Sequence, residues 1–230
     1  MMVKELKSLL EKLLETAMRE RLSYTDFLRL LATYSCPSEL DLTNFHDILA
    51  MIKKLSDEVA KASDSLLLMR QRAENLVRKS YKPLLVDCFG LPEVYEVYVK
   101  ITKECGTLAV SVEPYINALA LTFEFEKAYG SPTMLELARA LGTSLYKSTD
   151  KAVHDELGKP MSLDKLLRLA ELRLKSIAEK LAEDVVRTKK AFIISDHGYD
   201  VYHSPHDEYY LGHGLESKLA KIAPLIIVEC

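Results

Sequence analysis

The sequence predicts an α/β protein: a mostly parallel sheet with helices on both faces, preceded by an all-helical segment. Three observations predict it. Through the first eighty residues, apolar positions recur at helical spacing. Beyond Tyr81, short near-continuous apolar runs alternate with amphipathic stretches, the pattern of strands buried on both faces and the helices that cover them. Between the two lies Lys79-Ser80-Tyr81-Lys82-Pro83, where the proline disfavours helix in the residue before it. The predicted division is therefore a helical scaffold or adaptor over 1–80 and an α/β domain over 81–230.

Bulk composition narrows the class. A chain of 230 residues with 48% hydrophobic and 28% charged residues is long enough for one good-sized core and is ordinary for a soluble globular protein. Net charge is −3, so composition supplies no basic surface on which to rest nucleic-acid binding. No apolar run reaches the length of a membrane span. The four cysteines (36, 88, 105 and 230) form no CxxC pair and follow no secretory signal. They read as reduced thiols in a cytoplasmic protein.

In chain order, Val3, Leu6, Leu10, Leu13 and Ala17 share one face of a first helix. Ser23 or Thr25 caps a second helix running through Tyr34, with Cys36-Pro37 as its stop. Ile48, Ile52, Leu55, Val59, Ala62, Leu66, Met69, Ala73 and Leu76 repeat in steps of four and three. That predicts one long helix whose seam meets another helix, in a hairpin within the chain, a homodimer or a protein partner. Leu84 to Val86 is then a first strand, and Pro92 to Glu104 a helix closed by Gly106. Thr107 to Val112 is a second strand, with Pro114 closing it. Helices follow over Thr122 to Tyr129 and Met134 to Leu141, and Ser162 caps a long one carrying Leu163 through Val185. Ala191 to Ile194 and Pro224 to Val228 are the last strands.

The chemistry-bearing residues fall at the ends of these elements. Asp87 ends the first strand in LLVDCFG, and Thr122 opens a helix in ALALTFEFEKAYG. Asp150 and His154 form D-x-x-x-H, one helical turn apart. Asp196 and His197 follow the strand AFII, and four of the six histidines lie between 197 and 213. Residues just past strand ends converge on one crevice in a doubly wound sheet. Carboxylate and imidazole together suit zinc or a similar divalent ion. His213, flanked by Gly212 and Gly214, is the third candidate histidine, with His203 and His206 as rivals.

This ordered set resembles the alkaline phosphatase superfamily, and within it the PglZ-type domains of phage-defence systems. The resemblance covers roughly Tyr81 to Cys230. It implies two divalent metal ions, zinc in the first instance with manganese or magnesium as alternatives. Asp87, Thr122, Asp196 and His197 would surround one ion, and Asp150, His154 and His213 would hold the second. Thr122 would be the nucleophile in phosphate-ester hydrolysis, on a monoester or a diester, with a small molecule or a nucleic acid as substrate. A threonine hydroxyl is a poor nucleophile unless a metal or base activates it.

Rival readings attach to the same residues. Asp87 and Thr122 could be helix caps, with Ser111 or Thr149 as the nucleophile, and Asp150 and His154 could be a solvated helix face. Cys88 reads as a core filler and His46 as structural, while Tyr199, Tyr202, Tyr209 and Tyr210 would line a pocket or pack a lid. No arginine stands near Thr122, so Lys127 or Lys151 would hold the phosphate. The chief alternative function is a non-catalytic interaction protein, whose helices recruit a partner and whose metal is structural. A metal-dependent transferase acting on a small phosphorylated metabolite is the third.

Overall fold

The computed structural model describes residues 2–35 and 45–230; the expected helix stop at Cys36-Pro37 lies outside them. Four helices come first: α1 (Met2–Arg19), α2 (Tyr24–Ser35), α3 (His46–Lys61) and α4 (Leu66–Arg78). The capping of α2 is reciprocal. Ser23 Oγ accepts from the Asp26 amide (3.1 Å) while Asp26 Oδ2 accepts from the Ser23 amide (3.0 Å), a capping box with aspartate in the glutamate's place.

The long heptad helix is corrected to two helices. Ala62 turns to extended backbone, and Ser65 bonds the end of a strand instead: its amide donates to the Ile116 carbonyl and its Oγ accepts the Ile116 amide (2.9 and 2.8 Å). The heptad pattern survives because both halves bury their apolar residues, but against opposite faces of one sheet. Ile48, Ile52, Leu55 and Val59 join the core on one face; Leu66, Met69, Ala73 and Leu76 join the core on the other. At roughly 1.5–3 kcal/mol for each fully buried aliphatic side chain, these contacts outweigh continuation of the helix across Ser63 and Asp64. The seam is thus consumed inside the chain.

The sheet and its cover follow: β1 (Lys82–Val86), α5 (Leu91–Cys105), β2 (Val110–Ile116), α6 (Thr122–Tyr129), α7 (Met134–Ala140), β3 (Leu145–Tyr146), α8 (Ser148–Ala152), α9 (Leu163–Ala170), α10 (Ser176–Thr188), β4 (Lys190–Ser195), β5 (Asp200–His203), β6 (Tyr209–Gly212) and β7 (Ile222–Glu229). Single π-helical turns, Val153–Leu157 and Glu171–Lys175, extend α8 and join α9 to α10. Strand order is β2-β7-β4-β1-β3, with β5 and β6 forming a separate ribbon.

The expected mostly parallel sheet is also corrected. β1 pairs parallel with β3 and β4, but β7 runs antiparallel to both β4 and β2, so the sheet is mixed. No crossover helix follows β4. The chain goes out through the β5–β6 ribbon and re-enters the sheet from the end at which β4 left it. Burial of β7 on both faces produces the same apolar run in either direction, so composition cannot report the sense of the strand. β2 reaches past the expected stop at Pro114, which faces Pro224 across the ladder. Two prolines can sit opposite each other because alternate antiparallel pairs exchange no N–H bonds.

Along β4, Ala191 and Ile193 face one core while Phe192 and Ile194 face the other. The first is covered by α1, α2, α3, α5, α9 and α10, the second by α4, α6 and α7. The helices before residue 80 therefore share both cores with the α/β segment. A buried polar link joins them too. Tyr24 on α2 and Tyr199 beyond β4 both donate to Oε1 of Glu93 on α5 (2.5 and 2.7 Å), and Glu93 Oε2 accepts the Gly90 amide (2.9 Å).

Cys105 at the end of α5 is disulfide-bonded to Cys230, which corrects the expectation of reduced thiols for this pair; Cys88 is free and buried. Among the described residues no helix is long and apolar enough to cross a membrane.

Candidate metal centre

β1, β2, β3 and β4 all point the same way, so their carboxyl ends share one rim. The Asp87 amide extends the ladder one step, donating to the Tyr146 carbonyl (3.0 Å). The chain then turns at Cys88, whose φ of +62° lies in the left-handed region. There the Cys88 amide donates to Asp196 Oδ1 (3.0 Å), and the Phe89 amide to the His197 carbonyl (2.8 Å). Gly198 belongs here because the two loops touch: a Cβ would lie 3.2 Å from the Phe89 oxygen and 3.3 Å from Gly90 Cα. Close approach is what requires the glycine.

The loop after β2 delivers Thr122. Fully buried Asn117 donates from Nδ2 to the carbonyls of Leu121 (2.8 Å) and Asp196 (3.0 Å), clamping this loop to the one after β4. Thr122 is the first residue of α6, and its side chain does not cap the helix. Its hydroxyl donates to Asp196 Oδ2 (2.7 Å) and lies 3.3 Å from His197 Nε2.

The rim residues form two adjoining groups. Asp87, Asp196 and His197 make a buried inner group, and Asp150, His154 and His213 an outer, more exposed one; in each, three ligand atoms lie within 4.8 Å of one another. The rings of His197 and His213 lie 4.1 Å apart between centroids and join the two groups.

The donor set fits divalent cations because its lone pairs face one another. His197 Nδ1 bonds the Gly198 carbonyl (2.9 Å) and His213 Nδ1 the Ala120 carbonyl (3.0 Å). Those Nδ1 atoms must carry protons, which leaves each Nε2 as a ligand in the neutral ring. Yet His197 Nε2 is 3.1 Å from Asp196 Oδ2, and His213 Nε2 is 2.9 Å from His154 Nε2. Asp87 Oδ1 is buried without any hydrogen-bond partner. Without a metal, protons must carry the positive charge. Burial, then the nearby Asp196 and Asp150, push Asp87 up to about 7. Burial alone would lower His197, but the Asp196 carboxylate outweighs it and holds the imidazole well above its ordinary value. Burial would likewise raise Asp196, yet His197 brings it down to about 2. Burial and then His197 lower His213 to about 4.

The structure brings Asp87, Thr122, Asp196 and His197 together, and Asp150, His154 and His213 beside them. Other candidates lie elsewhere or are engaged otherwise. His203 pairs with Asp207 in the ribbon (3.5 Å) and His206 is exposed at its tip. Ser111 accepts from Lys7 Nζ (2.9 Å), and Thr149 donates to the Asp87 carbonyl. His46 is exposed at the start of α3. Cys88 is packed in the core, yet its Sγ lies within 4.8 Å of ligand nitrogens of His197 and His213 and so forms a third group at the rim, its thiol pushed up to about 12 by burial. Tyr199 is buried against Glu93, while Tyr202 stacks on Tyr210 across the ribbon (5.3 Å). Asn117 is the residue that sequence reading passed over. Its only sequence signal is an amide side chain five residues before a candidate nucleophile, since its place directly after a strand appears only once β2 is seen to run on to Ile116.

Searches found no protein-family model and no curated protein that matches this chain.

Proposed function

We propose that this protein is a divalent-metal-dependent phosphoester hydrolase with Thr122 as nucleophile, of the alkaline phosphatase type that its ordered aspartates and histidines resemble. The supporting observation is the Thr122 hydroxyl, hydrogen-bonded to Asp196 at 2.7 Å where the buried acidic group meets two histidines. Asp87, Asp196 and His197 would hold one cation, and Asp150, His154 and His213 a second. Zinc is the first choice for such oxygen and nitrogen donors, with manganese or magnesium as substitutes. Bound there, the ions would lower the pKa of an alcohol and screen the charge of a phosphoryl group.

The chain's own residues supply position and proton transfer. Asn117 fixes the approach of α6, so that Thr122 Oγ enters from one direction. Its proton already points at Asp196 Oδ2, the acceptor it would meet as the Oγ–P bond forms and the ester O–P bond breaks; a water would then attack phosphorus, the Oγ–P bond would break, and Thr122 Oγ would take the proton back from Asp196 as phosphate leaves. The first turn of α6 places the positive end of a helix dipole at the same point. Exposed His154 stands at the open mouth, beside the solvent from which the departing alkoxide takes its proton. The place in phage defence is analogy alone, and no residue here carries it.

Elemental analysis of protein purified without chelator, together with turnover of nitrophenyl phosphate, tests the reading. About two zinc or manganese ions per chain are expected, with turnover lost in a folded Thr122→Ala protein. A folded wild-type protein that takes up no metal, or undiminished turnover in Thr122→Ala, removes the proposal.

A further inference from the structure

The two groups contain three carboxylates, Asp87, Asp150 and Asp196. Two divalent cations would leave the centre with one positive charge. A phosphodiester monoanion balances that, whereas a phosphate monoester dianion leaves one negative charge over. A site for monoesters therefore needs one further cation at the rim, and its identity can be read from the fold.

Lys127, one expected candidate, pairs with Glu124 along α6 (3.7 Å) and is exposed. Lys151, the other, lines a surface hollow with Asp155, Glu156 and Arg173. Lys147 is placed differently. Val86 and Tyr146 are register partners on the parallel strands β1 and β3, and the Asp87 amide bonds the Tyr146 carbonyl (3.0 Å). Lys147 is thus the first residue past β3, as its neighbour Asp87 is the first past β1. It also immediately precedes α8, which carries Thr149, bonded to the Asp87 carbonyl, and Asp150 of the outer group. Lys147 is exposed, so its ammonium is open to a ligand arriving at this rim.

We propose that Lys147 is a substrate-binding residue that takes the non-bridging oxygens of a phosphate monoester dianion, and so selects monoesters over diesters. This rests on the metal-centred hydrolase reading above and extends it to substrate class. A lysine on a flexible stem suits the task, because it presents a point charge that can follow the phosphoryl group as it moves.

The test compares zinc-loaded wild-type protein with Lys147→Ala and Lys147→Arg. Binding of inorganic phosphate is measured by calorimetry, and kcat/KM on nitrophenyl phosphate and on bis-nitrophenyl phosphate. Expected for Lys147→Ala are roughly tenfold weaker phosphate binding, a similar loss of kcat/KM on the monoester, and little change on the diester. Zinc content and melting temperature should be unchanged, and Lys147→Arg should restore most of the phosphate affinity. If wild-type protein binds phosphate and turns over but Lys147→Ala matches it, or loses both esters equally, the assignment to Lys147 is overturned while the hydrolase reading stands. Zinc-loaded wild-type protein that neither binds phosphate nor cleaves either ester overturns both.

Discussion

Asn117→Ala separates a rim assembled by specific hydrogen bonds from one that merely happens to be close together. Asn117 is fully buried and donates from one amide nitrogen to two carbonyls, those of Leu121 and Asp196. Removing the side chain affects the two acceptors unequally. The Leu121 oxygen keeps the Glu124 amide (3.2 Å), so that loss is one net hydrogen bond, about 0.5–1.5 kcal/mol. The Asp196 carbonyl loses a buried donor, at a cost of about 1–3 kcal/mol. The total is roughly 2–4 kcal/mol, a large share of the 5–15 kcal/mol typical of a folded domain. Asn117→Asp should be worse than alanine, because it turns an acceptor toward two carbonyl oxygens. Urea unfolding gives these differences. The same proteins should lose about a hundredfold in turnover, since a 1 Å misplacement of a reacting group is enough for that. Should Asn117→Asp prove as stable as Asn117→Ala, or Asn117→Ala lose under about 1 kcal/mol, the clamp is not what holds the rim.

Three other outcomes are expected. Glu93 is raised by burial from 4.5 to about 7, against the donors Tyr24, Tyr199 and Gly90 that pull it down. The folded state therefore binds a proton that the unfolded state has released. Stability from this group is fully present below about pH 4.5 and is lost as pH rises through 7, by about 3 kcal/mol. Glu93→Gln should flatten denaturation midpoints over that window, and an unaltered slope would show that Glu93 titrates normally. Asp87→Asn should raise the metal-free melting temperature, because it removes a buried charge beside Asp196, worth roughly 1–3 kcal/mol. It should also reduce the rise on adding zinc to what the outer group alone gives; a mutant that zinc still stabilises as well as wild type would exclude Asp87 as a ligand. Cys105 and Cys230 are 125 residues apart in sequence, so breaking their disulfide should cost up to about 5 kcal/mol. Thiol counts in denaturant should rise by two on reduction, and an unchanged count would mean that the bridge does not form.

Local pattern alone placed most elements. The apolar run at Leu84 to Val86, the capped periodicity of α5 and the strand at Ala191 to Ile194 each depend on neighbours a few residues away, and all three form. Asp87 and Asp196 could be placed at strand ends for the same reason. Helices on both faces were likewise legible, since strands apolar on both sides require cover on both sides.

What pairs with what was decided elsewhere. The seam from Ile48 to Leu76 obeys a heptad rule whether its halves meet one surface or two, and only the position of Ile116 beside Ser65 divides it. β7 would be equally apolar in either direction, and its sense is set by the route through the ribbon. Among His203, His206 and His213, sequence could rank but not choose; the carbonyl of Ala120, 93 residues away, is what His213 Nδ1 meets. Asn117 and Lys147 acquire their meaning only from the carbonyl of Asp196 and the register of β1 with β3. Periodicity records which side of an element is buried. Long-range hydrogen bonds and strand register record against what, and a site made from five separate segments of the chain depends on the second kind of information.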